Sequence, residues 1–183
     1  MLNDKMAPDE LRAGIGTKLD EPSRAVTGPL NEGDVFELLK VDHDRLADLF
    51  VTIETETDPG ALSTHVELLA RQLLTHTTLE EEIFYPQVRN FADTEGQVEK
   101  NYEQHQEAKE ILQQIQRLDP STQDFKAAVQ DLQRAIENHV HEEENYLFPA
   151  VKGDLSDEAL ANLTTQIREG KARYATQYNL QSL

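Results

Sequence analysis

Two eleven-residue stretches of this chain share one layout: HTTLEEEIFYP, from His76 to Pro86, and HVHEEENYLFP, from His139 to Pro149. Each sets Glu four residues after His, a second Glu directly after the first, an aromatic in tenth place and Pro in eleventh. Positions i and i+4 share one face of an α-helix, a turn apart, so in each copy an imidazole and a carboxylate point into the same volume. The copies lie 63 residues apart, and two further histidines, His43 and His105, lie 62 apart. The chain therefore reads as a helical hairpin repeated twice, each hairpin carrying one lone His and one His-x-x-x-Glu.

Apolar periodicity places all of these residues on helical stripes. The first helix, from about Gly33, aligns Phe36, Leu39, His43, Leu46, Phe50 and Ile53. Asp58-Pro59 supplies an N-cap and first-turn pair for the second, whose stripe reads Leu62, Leu69, Leu73, His76, Glu80 and Ile83. Phe84-Tyr85-Pro86 then marks where the hairpin packs and turns. The third helix, from near Thr94, aligns Val98, Tyr102, His105, Ala108, Leu112 and Ile115. Ser121, with Asp124 three residues on, is the expected cap of the fourth, which aligns Phe125, Val129, Leu132, Ile136, His139, Glu143 and Tyr146. Leu160, Leu163, Ile167 and Tyr174 suggest a fifth amphipathic helix that Gly170 weakens in its middle. The expected fold is all-α: an antiparallel up-down-up-down four-helix bundle over residues 31–152, with an extra C-terminal helix in 153–183. Residues 1–30 mix Pro, Gly and charge without periodicity and read as a flexible arm.

Four histidines and two carboxylates on apolar stripes are costly intrusions unless they converge on something that satisfies them. A bundle core is where side chains from facing helices meet around a metal. The expected ligands are His43, His76, Glu80, His105, His139 and Glu143. Imidazole with carboxylate suits iron, manganese or zinc, and two carboxylates can bridge a pair of ions. Glu81 and Glu144 fall about 100° round the helix from that face and are expected to be solvated or to back the ligands. His65 lies about 16 Å from His76 by helical rise, too far to share a centre, and His141 is turned off the stripe. Both read as surface residues.

Other chemistries drop out. The sequence has no Cys, so disulfides, zinc–thiolate sites, iron–sulfur clusters and thiol catalysis are excluded. Its net charge of −18 opposes nucleic acid and anionic membranes, and neither is an expected partner. No stretch approaches a membrane span and the N-terminus lacks the apolar run of a secretory signal, so the expected location is the cytoplasm. The zincin His-Glu-x-x-His and the ferritin-like Glu-x-x-His are absent.

His43 in KVDHDRLADLF, His76 and Glu80 in HTTLEEEIFYP, His105 in NYEQHQEAKEIL, and His139 and Glu143 in HVHEEENYLFP together resemble the hemerythrin-like HHE cation-binding domain, over about residues 33–152. The resemblance implies two iron ions in a non-haem di-iron centre, bridged by the two Glu carboxylates and by oxo or hydroxo groups. It implies dioxygen or peroxide as the small ligand, for oxygen or iron handling or sensing. The same centre in an enzyme would decompose hydrogen peroxide or activate O2. One departure stands out. The oxygen carriers of the family have a fifth histidine four residues from the one on the third helix, where this chain has Asn101 and Lys109. Tyr102, one turn before His105, is a candidate to complete the coordination, to hydrogen-bond a bound oxygen species, or simply to pack. The apolar stripe of the fifth helix suits either docking on the bundle or contact within a homo-oligomer.

Overall fold

The computed structural model describes residues 33–91 and 94–177, and the arm expected at 1–30 lies outside them. Seven α-helical segments occur among the described residues: α1 (Val35–Thr55), α2 (Pro59–Leu79), α3 (Tyr85–Val88), α4 (Glu95–Ile115), α5 (Gln123–Glu142), α6 (Phe148–Asp154) and α7 (Asp157–Gln177). A π-helical turn, Glu80–Phe84, joins α2 to α3 as one rod, and a second, Glu143–Leu147, joins α5 to α6. The four rods α1, α2–α3, α4 and α5–α6 form the bundle, no strand occurs among the described residues, and α7 is the extra helix. Neighbouring rods run antiparallel: Phe36 at the start of α1 meets Phe84 at the end of the second rod, ring centroids 6.1 Å apart.

Local chemistry sets the helix starts. Gly33, at φ +104°, takes a left-handed conformation that residues with a Cβ rarely adopt. Asp34 then caps α1 by accepting from the Glu37 N–H, and Asp58 caps α2 by accepting from the Ala61 N–H. At α5 the cap is Thr122, whose hydroxyl accepts from the Phe125 N–H, and not Ser121. Ser121 is instead held by Asp119, which takes both its N–H and its hydroxyl proton. Two capping residues stood side by side, and the competing turn engaged the first.

The stripes fuse into two apolar clusters. One, at the hairpin-loop end, gathers Leu46, Phe50, Leu69, Leu73, Leu112, Phe125 and Leu132. The other gathers Phe36, Leu38, Phe84, Tyr85, Phe148 and Val151, with Leu163 and Ile167 from α7. Each fully buried Leu or Phe adds about 2 kcal/mol of transfer free energy. Every histidine expected as a ligand sits in sequence between a residue of one cluster and a residue of the other. The polar side chains thus form a layer sandwiched between two apolar ones.

Helix α7 docks on the same bundle. Thr164 accepts from the Val35 N–H at 3.0 Å, Arg168 donates to the Gly33 carbonyl at 2.6 Å, and Lys171 donates to the Leu38 carbonyl at 3.0 Å. Gly170, expected only as a weak point, packs directly against the second rod. A Cβ there would lie 2.5 Å from Leu79 Cδ2 and 2.9 Å from Ile83 Cδ1. Overpacking of this kind costs about 1–3 kcal/mol. Gly170→Leu is expected to lower stability by about 2 kcal/mol in urea denaturation. Gly96→Ala, where no atom lies within 4 Å, is expected to be neutral or to stabilise by about 0.5 kcal/mol.

Candidate metal centre

The two π turns set the geometry. The Tyr85 N–H donates to the Glu80 carbonyl and the Phe148 N–H to the Glu143 carbonyl, five residues back instead of four. Each turn adds one residue and shifts the inward face that follows it by one position. Phe84, Tyr85, Leu147 and Phe148 are therefore buried, whereas Ile83 is half-buried and Tyr146 is 60% exposed. The stripes expected to continue at Ile83 and Tyr146 on α spacing are corrected here. The second rod runs on through Pro86 and ends at Val88, within the expected range of Pro86–Asn90. The signal was available: Pro86 and Pro149 lie inside helical stretches, where a missing N–H favours a local departure from α spacing.

All six residues expected as ligands converge in one buried layer, each at 4% exposure or less. One ligand atom from each of His43, His76, Glu80, His139 and Glu143 can be chosen so that all lie within 4.8 Å of one another. His76 Nε2 is 3.1 Å from Glu80 Oε2, and His43 Nε2 is 3.4 Å from Glu143 Oε2. His105 joins them, with Nε2 3.2 Å from both Glu80 Oε2 and His139 Nε2.

The outer nitrogens explain why the inner ones are available. His105 Nδ1 donates to Glu81 at 2.9 Å, and His43 Nδ1 donates to Glu144 at 2.8 Å. Each of these carboxylates is held in turn by a lysine: Glu81 by Lys109 at 2.6 Å and Glu144 by Lys40 at 3.3 Å. His139 Nδ1 donates to the Gln104 side-chain oxygen at 3.3 Å. Such outer partners fix the tautomer and turn the Nε2 lone pair toward a metal. His105 and His139 consequently face each other at 3.2 Å, lone pair to lone pair. Buried atoms with no hydrogen bond include Nε2 of His43 and His76, Oε1 of Glu80 and Oε2 of Glu143. A cation at the centre of this layer satisfies all of them at once, so the donor set fits a metal.

Burial works against every charge here, and the neighbours divide the outcome. Burial, reinforced by the charge of His43, pushes His76 well below its ordinary value, and burial takes His139 down to about 3. His43 goes the other way: burial opposes its charge, but the facing carboxylate of Glu143 and the hydrogen bond to Glu144 outweigh that and hold its imidazolium up to about 9. Burial and the charge of Glu143 raise Glu80 well above the usual carboxylate range. Burial alone would raise Glu143, but the facing His43 ring and the charge of His139 outweigh it, and Glu143 falls to about 2.

Several neighbours were missed or misplaced from the sequence. Tyr85 reaches the site with its hydroxyl 3.0 Å from Glu143 Oε1, and Asn101 donates to the same oxygen at 3.4 Å. Tyr102, the tyrosine expected there, instead donates to the Glu81 carbonyl at 3.2 Å and is half-buried. Asp42, one residue before His43, lies with Oδ2 4.0 Å from His76 Nδ1 and takes a 2.5 Å contact from Lys171 of α7. His141 is exposed, and His65 is half-buried away from the layer.

Comparison with known proteins agrees with this geometry. The hemerythrin HHE cation binding domain matches residues 34–151. A DNA nickase of Nostoc sp. is 30% identical over 140 residues, which cover 76% of this chain and 40% of that protein. An uncharacterized hemerythrin-like protein of Schizosaccharomyces pombe is 25% identical over 132 residues, 71% of this chain and 65% of that one. The chain therefore spans less than two thirds of the length of either relative. No solved structure matches it significantly.

The split in proton affinity gives a signed expectation. His76 and His139 are neutral near neutral pH and ready to coordinate, whereas His43 holds a proton that a metal must displace. Zinc or ferrous iron added to metal-free protein is expected to release protons, and its affinity to rise with pH until His43 titrates at about 9. Calorimetry in buffers of different ionisation enthalpy reads this directly. Saturation at roughly 100 times Kd should add about 2.7 kcal/mol, raising Tm by roughly 5–10 °C.

Proposed function

The chain belongs to the hemerythrin HHE cation-binding family, and on that premise we propose that it holds a pair of non-haem iron ions and binds dioxygen or peroxide at them. The observation that carries this reading is the buried layer in which Nε2 of His43 and His76, Oε1 of Glu80 and Oε2 of Glu143 face one another without a hydrogen-bond partner. In this reading the functional unit is the bundle of residues 31–152, with the helix in 153–183 as its buttress. His43 and His76 would hold one ion and His105 and His139 the other, with the carboxylates of Glu80 and Glu143 available to both. A reduced iron pair supplies electrons to a small oxidant such as O2.

The protein's own groups do the rest. Glu81 and Glu144, each anchored by a lysine, keep the His105 and His43 rings turned inward. Phe148, stacked over His43 with centroids 6.2 Å apart and planes within 6°, shields that side of the layer from water. The apolar layers above and below admit a small uncharged ligand more readily than an ion. The nicking of DNA belongs to the Nostoc relative, most of whose length this chain does not match. A net charge of −18 works against a phosphate backbone here.

Metal analysis with an absorption spectrum, before and after reduction and exposure to air, tests the reading. Two irons per chain and a spectrum that changes reversibly with O2 are expected, and Glu80→Gln with Glu143→Gln is expected to abolish the two-ion signature. Stoichiometric zinc with no iron uptake would count against it. Oxygen evolution from hydrogen peroxide separates binding from turnover. A binding protein is expected to be no faster than free iron salts, and a faster rate would assign the centre to peroxide decomposition.

A further inference from the structure

Tyr85 is fully buried, and its hydroxyl oxygen has three close neighbours. Glu143 Oε1 lies at 3.0 Å, His105 Nε2 at 3.3 Å and Glu80 Oε2 at 3.4 Å. With His105 Nδ1 already donating to Glu81, its Nε2 offers a lone pair, as does the Glu143 oxygen. One hydroxyl proton cannot serve all three neighbours.

The spacing matches a coordination sphere instead. Donors adjacent on an octahedral ion with bonds of ~2.1 Å lie ~3.0 Å apart, and opposite donors ~4.2 Å apart. From His105 Nε2, both His139 Nε2 and Glu80 Oε2 lie at 3.2 Å. Glu80 Oε2 is 4.0 Å from His139 Nε2. The three Tyr85 distances fall in the same range. We propose that Tyr85 is a protein ligand to the ion held by His105 and His139, bound through its phenolate oxygen. The proposal rests on the reading of this layer as a metal centre. Coordination exchanges the O–H bond for an O–metal bond and passes the proton to solvent, leaving oxidation states unchanged.

The two halves of the repeat then differ. The residue 63 positions after Tyr85 is Phe148, which stacks over His43 and offers no donor. One ion has five protein ligands: His105, His139, Glu80, Glu143 and Tyr85. The other has four, so an incoming small ligand finds its place on the His43/His76 side.

The test uses the full chain loaded with two ferric ions, the content verified by metal analysis. A visible phenolate-to-iron charge-transfer band is expected, with enhanced phenolate ring modes in resonance Raman that shift when the tyrosines are ring-deuterated. Tyr85→Phe is expected to keep its iron and lose the band, while Tyr102→Phe keeps both. Iron-loaded protein without phenolate modes, or a band that survives in Tyr85→Phe, would overturn the ligand and leave the metal centre standing. A chain that takes up no metal would overturn the centre and the ligand together. Should Tyr85→Phe fail to fold, the deuterium shift in the unsubstituted protein decides for or against a tyrosine ligand, and its retention in Tyr102→Phe assigns it to Tyr85.

Discussion

Glu80 and Glu143 lie at 0% exposure in the middle of a four-helix core, and the rest of the structure is arranged around that fact. A buried carboxylate without a partner costs several kcal/mol, so two of them side by side demand positive charge at close range. The four imidazoles supply some of it in the metal-free protein, but unevenly: His43 holds a proton and His76 and His139 do not. Neighbouring lone pairs remain within 3.2 Å of one another. A core built this way is specified by something it binds. Its apolar layers keep the site dry, and its outer carboxylates keep the rings pointed inward.

The device that lets one short stretch serve both purposes is the π turn. An α-helix continued from Glu80 would turn Ile83 inward, and from Glu143 it would turn Tyr146 inward. The extra residue in each turn instead brings in Tyr85 beside Phe84 on one side, and Phe148 beside Leu147 on the other. The same backbone step thus carries a carboxylate in the polar layer and an aromatic wall at its edge. Because the step occurs at equivalent places in both hairpins, the site keeps a two-fold likeness. It is broken where Tyr85 of one copy corresponds to Phe148 of the other.

What could be read from the sequence was what depends on spacing alone. Residues 62 or 63 apart have to land at equivalent places in a repeated hairpin, and that spacing alone brings His43, His76, Glu80, His105, His139 and Glu143 together. Hidden were the features that depend on phase and on competition between near-equal choices. Tyr85 was invisible because an α stripe passes it by, and Tyr102 looked better placed than it is. Thr122 and Ser121 are both capping residues, and only the neighbouring Asp119 decides between them. Glu81 and Glu144 could be read either as solvated or as backing the ligands, because which rings they reach is set by the facing helices.

The contact between Lys171 and Asp42 joins two parts of the molecule that the chain keeps far apart. Lys171 belongs to α7, outside the repeated hairpins, and Asp42 lies beside His43 and close to the outer nitrogen of His76. Among the four histidines of the layer, His76 is the one whose Nδ1 finds no hydrogen bond. Whatever orientation it gains comes through a carboxylate that the last helix holds in place. Thermodynamic linkage makes that arrangement reciprocal: if seating the C-terminal helix tightens the grip of His76 on an ion, the ion must tighten the seating of the helix by the same factor. The end of the chain then serves as a readout of whether the centre is filled, written in its own tendency to fray.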